Sequence, residues 1–344
     1  MISLCLRSAS RMPRSVATIV SAWALALTTM APTACEIASP TDPGALLPPT
    51  AERDPALPRL ALTVAGHEHM LHLETFGSTL DPVVFAFHGG GGNDYRALLP
   101  LRALAQNHFL VMWDSRGSGL SERIPRAEIS WDSYVEEVDA VKRRFSPNQT
   151  IALIGYSSGG FHAALYVAQH PEAVSTLVLI EPDALSREAA TTLTTHAISL
   201  ADGFVNEHLW QTDFLSPSDH DQIDRKAYAV ARDATADLWC DPKHPGIYPF
   251  WRHGIFVDIV STELKNAPNG YDFSDRLHDF AGPVLFVGSD CGPLRADWQV
   301  QQGQLARFPH ADLLRVPGKS HSDLFTEDMV VGVRDWLAVA GANP

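Results

Sequence analysis

The sequence predicts an α/β architecture: a mostly parallel central sheet with helices on both faces, interrupted by an inserted, mainly helical cap. Two observations carry this. Short, wholly apolar runs of the kind buried in parallel sheets alternate with segments of helical periodicity. That alternation stops after residue 185 and resumes near residue 281. Residues 59–185 and 281–344 are therefore read as the core, and residues 186–280 as the cap. The composition, 45% apolar and 19% charged, suits a chain that buries a substantial core. No internal repeat is present.

The elements follow in order. Leu60 to Val64 and Glu68 to Thr75 read as two strands joined at Ala65-Gly66, an opening hairpin. Pro82 to Phe87 is a buried strand, and the leucine spacing from Tyr95 to Gln106 predicts a helix. Phe109 to Trp113 is the next strand, and Trp131 to Phe145 an amphipathic helix. Strand Thr150 to Ile154, a helix from Ser158 to His170 and strand Val174 to Ile180 complete the first part. After the cap come strand Pro283 to Val287, a helix near Ala296 to Phe308, strand Asp312 to Val316 and a helix from Thr326 to Ala340.

Residues 1–35 read as an export signal. Arg7, Arg11 and Arg14 precede an apolar stretch from Val16 to Met30, and no acidic residue occurs before Glu36. No apolar run reaches the roughly 18 residues that mark a membrane-spanning helix. Pro32-Thr33-Ala34-Cys35 is similar to a bacterial lipobox, with proline where leucine is usual. Both a lipid-anchored form, attached through Cys35, and a soluble exported form follow from this pattern. Residues 36–58 contain six prolines and no periodicity, which predicts an extended linker.

The chain carries a formal charge of −14. Without the three arginines of the signal, 23 basic residues face 40 acidic ones. Such a surface repels phosphate backbones, which argues against nucleic acid as a partner. Of the four cysteines, Cys5 falls in the signal and Cys35 at its end. A Cys240–Cys291 bridge is the expectation in an oxidising compartment. Nothing in the sequence sets the oligomeric state.

The strongest chemical signal is Gly155-Tyr156-Ser157-Ser158-Gly159, a G-x-S-x-G placed between a buried strand and a helix. Its small residues permit a tight turn that exposes the Ser157 hydroxyl, and the following helix directs its N–H groups at developing negative charge. The run His88-Gly89-Gly90-Gly91-Gly92 follows strand Pro82 to Phe87 and lets backbone N–H groups approach an oxyanion. Gly90 and Ser158 are the expected donors, with Gly91 the alternative to Gly90. The run lacks the Lys-Ser/Thr ending of a phosphate loop.

A nucleophilic serine needs a base and an orienting acid. His321, just after the last strand, is the expected base. Asp290, after strand Pro283 to Val287, is the expected acid, because it gives the chain order Ser, Asp, His. Glu181 and Asp183, after strand Val174 to Ile180, are the alternatives. His67, His69 and His72 are read as part of a surface strand rather than a metal site.

Together, His88 to Gly92, Trp113-Asp114-Ser115-Arg116-Gly117-Ser118-Gly119-Leu120-Ser121 and the serine turn resemble the proline iminopeptidase-like branch of the α/β-hydrolases. That branch shows HGGPG, D-x-R-G-x-G-x-S and G-x-S-x-G in this order. The resemblance implies a Ser157–His321–Asp290 triad, an oxyanion site near Gly90 and Ser158, and no cofactor. Two positions depart from the pattern. Gly91 replaces the proline of HGGPG, and Asp290 falls one residue earlier than in the commoner G-x-x-D.

The expected reaction is hydrolysis of an ester or amide of a small molecule or short peptide through an acyl-enzyme. The alternatives are a non-peptidase esterase or C–C bond hydrolase, and a non-catalytic exported binding protein. A serine at this position argues against the aspartate-nucleophile enzymes of the same scaffold. Trp210, Phe214, Trp239, Tyr248, Phe250 and Trp251 either line a substrate pocket in the cap or form its core.

Overall fold

The computed structural model describes residues 49–89, 94–125, 128, 130–186, 189, 272–291, 298–321 and 323–341. The export signal, most of the linker, nearly all of the cap, Gly90 to Gly92 and Cys240 lie outside the described residues.

Eight strands form one sheet: β1 (Arg59–Val64), β2 (His67–Phe76), β3 (Val83–Phe87), β4 (Phe109–Trp113), β5 (Ile151–Tyr156), β6 (Val174–Ile180), β7 (Val284–Ser289) and β8 (Ala311–Val316). Their spatial order is β1-β2-β4-β3-β5-β6-β7-β8. β2 runs antiparallel to both β1 and β4, and every pairing from β4 through β8 is parallel. The opening hairpin turns at Ala65 and Gly66, which both have positive φ, 50° and 83°. That is the backbone a two-residue hairpin loop demands.

Four described α-helices pack on the sheet: α1 (Trp131–Phe145), α2 (Ser158–Gln169), α3 (Trp298–Leu305) and α4 (Glu327–Ala340). Strand alternation divides their work. On β3, Phe85 and Phe87 join a core with Trp131, Tyr134 and Val138 of α1 and Phe161 and Leu165 of α2. Val84 and Ala86 face the other way, onto Leu98, Leu101, Leu104 and Met329, Val333 and Leu337 of α4. The sheet is thus covered on both faces, which is why its central strands are apolar throughout.

Local chemistry sets the helix ends. Ser130 caps α1 and exchanges bonds reciprocally with Ser133; Asp132 sits in the first turn and Lys142, Arg143 and Arg144 in the last, complementing the helix dipole. Thr326 caps α4 by accepting from the Met329 N–H, with Glu327 and Asp328 beside it. Tyr95–Gln106 forms 3-10 turns instead of the expected α-helix. Its buried leucines recur every three residues, the period of a 3-10 helix, and Pro100 withholds an N–H in mid-segment.

The expectation of a surface strand at His67, His69 and His72 is corrected. His67 is exposed, but His69 and His72 are buried. β2 lies inside the sheet, and His72 packs against the Tyr95 ring at 5.0 Å. Both histidines join buried polar contacts: His72 Nδ1 lies 2.8 Å from Asp114 Oδ2, and His69 Nε2 lies 3.4 Å from Arg116 Nη1. Among the described residues no group of side chains has the makings of a metal site. Among them, too, no helix is long and apolar enough to cross a membrane.

Candidate active site

The site gathers at the carboxyl ends of the parallel strands, where open α/β sheets place their ligands. Ser157 links β5 to α2 with φ 57° and ψ −123°, a backbone that L-residues rarely adopt. The turn is tight enough to exclude side chains around it. A Cβ at Gly155 would stand 2.4 Å from the Gly159 carbonyl oxygen, and one at Gly159 would stand 2.4 Å from that of Phe87. At Gly89, where the glycine run begins, a Cβ would lie 2.7 Å from that of Ser157. These contacts explain the glycines of the motif and bring the start of the glycine run against Ser157. Backbone bonds pin the turn further: Ser157 N–H donates to the Ile180 carbonyl at 3.0 Å, and its carbonyl accepts from the Asp183 N–H at 2.9 Å.

Ser158 opens α2, so its N–H lies in the first turn, at the positive end of the helix dipole. Gly90 and Gly91 lie outside the described residues. The preceding His88 is buried, and its Nε2 accepts from the Ser115 N–H at 3.1 Å. The strand end is thereby latched to the Asp114–Ser121 turn.

His321 stands beside this turn. Its ring stacks on that of Tyr156, with centroids 4.8 Å apart and planes at 24°. The Tyr156 hydroxyl donates to the His321 carbonyl at 2.6 Å. The residue before the serine thus holds both the ring and the backbone of the histidine. His321 Nδ1 lies 2.6 Å from Oε2 of Glu181. A carboxylate there selects the Nδ1–H tautomer and leaves Nε2 for proton transfer.

The carboxylate facing the histidine is Glu181, and the expectation of Asp290 is corrected. Asp290 Oδ1 accepts from the Gly318 N–H at 2.6 Å, and Oδ2 accepts from Arg315 Nη2 at 2.6 Å. The Gly318 bond first, and then Arg315, hold its carboxyl below the usual range. The reason is strand alternation. Ser289, the last residue of β7, points at Glu181, so Asp290 turns away toward the neighbouring β8. Asp183, the other alternative, contributes its backbone N–H to the serine turn.

Glu181 leaves β6 with φ 41° and donates its N–H to the Val287 carbonyl at 2.9 Å. Its side chain is 1% exposed. Burial opposes ionisation, but the bond and charge of His321, followed by two donors from Ser289, outweigh it and lower the carboxyl pKa.

A second buried polar layer lies under the Asp114–Ser121 turn, and its residues drew no role from sequence reasoning. Asp114 accepts from the Tyr95 N–H at 2.9 Å and the Leu120 N–H at 2.8 Å, besides meeting His72. Burial works against a charged His72, yet the bond and charge of Asp114, helped by Glu74 and Asp94, hold its pKa above the usual value. Arg116 Nε pairs with Glu137 Oε2 at 2.9 Å, and Glu137 also accepts from Trp113 Nε1 at 2.9 Å. Gly119, at φ 49°, leaves no room for a Cβ beside the Asp114 carboxylate. This turn braces the residues His88 and Tyr95, which flank the glycine run in the chain.

The α/β hydrolase fold family matches residues 82–245. The strand order, the serine turn and the histidine beyond the last strand accord with that match. The chain has the α/β-hydrolase fold. A proline iminopeptidase of Heyndrickxia coagulans is 31% identical to this chain over 101 residues, 29% of the chain and 34% of that protein. A mouse (lyso)-N-acylphosphatidylethanolamine lipase is 33% identical over 98 residues, 28% of each. The match to the iminopeptidase thus spans about a third of that relative's length. Among solved structures, an esterase from Thermogutta terrifontis superimposes with TM-score 0.60 at 18% identity, covering 82% of this chain and 98% of its own. A proline iminopeptidase from Mycobacterium smegmatis does so with TM-score 0.56 at 18% identity, covering 83% and 99%. Cys291 is disulfide-bonded, and its expected partner Cys240 lies outside the described residues.

Proposed function

We propose that this protein cleaves an ester or amide bond through an acyl-enzyme, with Ser157 as nucleophile, His321 as base and Glu181 as the orienting acid. The observation that carries the reading is the 2.6 Å contact between His321 Nδ1 and Glu181 Oε2, with the histidine ring stacked on the neighbour of a strained serine. His321 Nε2 takes the Ser157 hydroxyl proton as the oxygen attacks the substrate carbonyl. The N–H groups of Ser158 and Gly90 receive the oxyanion. Collapse of the tetrahedral intermediate expels the leaving group, which takes the proton from His321. Water, activated by the same histidine, then releases the acid and restores the serine.

The substrate is a small ester or amide, or a short peptide with a free amino end. The similarity to proline iminopeptidases supports the latter, and the replacement of the HGGPG proline by Gly91 favours the former. No cofactor enters the scheme. Residues 1–35 direct export, Cys35 is the point of lipid attachment if the lipobox is used, and residues 186–280 form the cap that shapes specificity.

Ser157→Ala is expected to abolish both ester hydrolysis and labelling by a fluorophosphonate probe. Undiminished labelling of the variant excludes Ser157 as nucleophile. Parallel assays with p-nitrophenyl esters and aminoacyl-naphthylamides then separate esterase from peptidase.

A further inference from the structure

We propose that Ser289 is a positioning residue, which grips one oxygen of Glu181 and thereby turns the other onto His321. The inference rests on the triad reading above and concerns a residue which that reading does not use.

The geometry is specific. Ser289 gives two donors to the same acceptor: its backbone N–H reaches Glu181 Oε1 at 2.6 Å, and its hydroxyl donates to that oxygen too. Oε2 is then the oxygen that meets His321. Ser289 is 2% exposed and Glu181 1%, so water does not substitute for either partner.

A glutamate needs such a grip. Its side chain has one more rotatable bond than an aspartate, and rotation of its carboxylate is only broadly restricted. A carboxylate at the end of β6 must also reach past the end of β7 to serve a histidine beyond β8. A donor at the end of β7 fixes the carboxylate plane where Glu181 crosses it. The same donors favour the ionised carboxylate, which accords with its lowered pKa. A serine that merely filled space there would not need to direct both donors at one oxygen.

The test uses the mature protein and the second-order rate of fluorophosphonate labelling, followed against pH, in Ser289→Ala, Ser289→Thr, Glu181→Gln and the Ser289→Ala/Glu181→Gln double variant. Thermal unfolding is measured alongside. Loss of one hydrogen bond to a buried carboxylate predicts labelling about tenfold slower in Ser289→Ala at neutral pH. The acid limb of the profile moves to higher pH, because the carboxyl loses a donor that favours its ionised form. Ser289→Thr, which keeps the hydroxyl, recovers most of the rate. Glu181→Gln is slower still, and adding Ser289→Ala to it costs little more. Should the alanine variant not fold, Ser289→Thr against the equal-shaped Ser289→Val gives the same comparison.

A folded Ser289→Ala protein with the wild-type rate and acid limb overturns the proposal. So does a slowing that persists in full in the Glu181→Gln background, since the serine would then act on the fold and not through Glu181. If Glu181→Gln alone labels at the wild-type rate, the triad reading fails first and the Ser289 proposal falls with it.

Discussion

Two carboxylates compete for the role of triad acid, and one pair of substitutions separates them. Glu181→Gln keeps the shape of the side chain and removes its charge. In the native protein Oε2 accepts from His321 Nδ1 while Oε1 accepts twice from Ser289. An amide has a single oxygen, so it serves either His321 or Ser289 and presents an NH2 to the other. Facing Ser289 with its oxygen, it offers His321 a donor and selects the Nε2–H tautomer, which cannot act as base toward Ser157. Facing His321, it strands the two Ser289 donors and supplies no charge for the imidazolium. The corresponding acid-to-amide change in the serine protease triad lowers kcat by about four orders of magnitude, and a fall of roughly 10³–10⁴ is expected here. Asp290→Asn is the control. Its carboxylate pairs with Arg315, whose side chain is 57% exposed, and with the Gly318 N–H. An amide oxygen still accepts from Gly318, and an exposed ion pair contributes little, so kcat stays within a few-fold of wild type. The assay is steady-state hydrolysis of a p-nitrophenyl ester, with circular dichroism to confirm folding. A large loss in Asp290→Asn with near-normal Glu181→Gln would refute the assignment.

Three further outcomes follow from the same contacts. Replacing Ser157 by glycine relieves its positive φ, whereas alanine retains the strain, so the inactive Ser157→Gly protein should be about 1 kcal/mol more stable than Ser157→Ala in urea denaturation. The Arg116–Glu137 pair has side chains only 2% and 1% exposed, so Glu137→Ala, which leaves a buried guanidinium unpaired, should cost about 3–5 kcal/mol by the same measurement. His72 has a raised native pKa, so its pairing with Asp114 contributes fully below the unfolded value of 6.5 and fades as pH rises through the native value; the stability gap between wild type and His72→Gln should therefore narrow from pH 6 toward pH 9.

Much of the architecture is legible in the sequence because burial on both faces leaves an unmistakable mark. Runs such as Val83–Phe87 and Phe109–Trp113 are apolar at every position, and all of them are buried. The serine turn is legible for a related reason: its glycines stand where a Cβ would collide with backbone, so their spacing encodes the bend itself. What escapes is whatever depends on which strand end faces which. The histidines of β2 look like surface residues until β4 and the Tyr95 segment are placed beside them.

The carboxylate that faces His321 is the sharpest case. Chain order favours a carboxylate after β7, and Asp290 stands there, one residue past the strand. A shift of one residue at a strand end reverses the direction of a side chain, and here it exchanges Ser289 for Asp290 on the side that faces the histidine. With a serine in that place, the carboxylate that meets His321 comes from just beyond the neighbouring strand, where Glu181 is long enough to reach it. Composition cannot distinguish the two arrangements, since both place an acid beyond a parallel strand. The difference lies in the partners: Asp290 finds an arginine and a turn N–H, and Glu181 finds the histidine and a serine aimed at its second oxygen. A carboxylate already neutralised by an exposed guanidinium has little field left to stabilise an imidazolium, whereas one buried between His321 and Ser289 keeps its charge for that purpose.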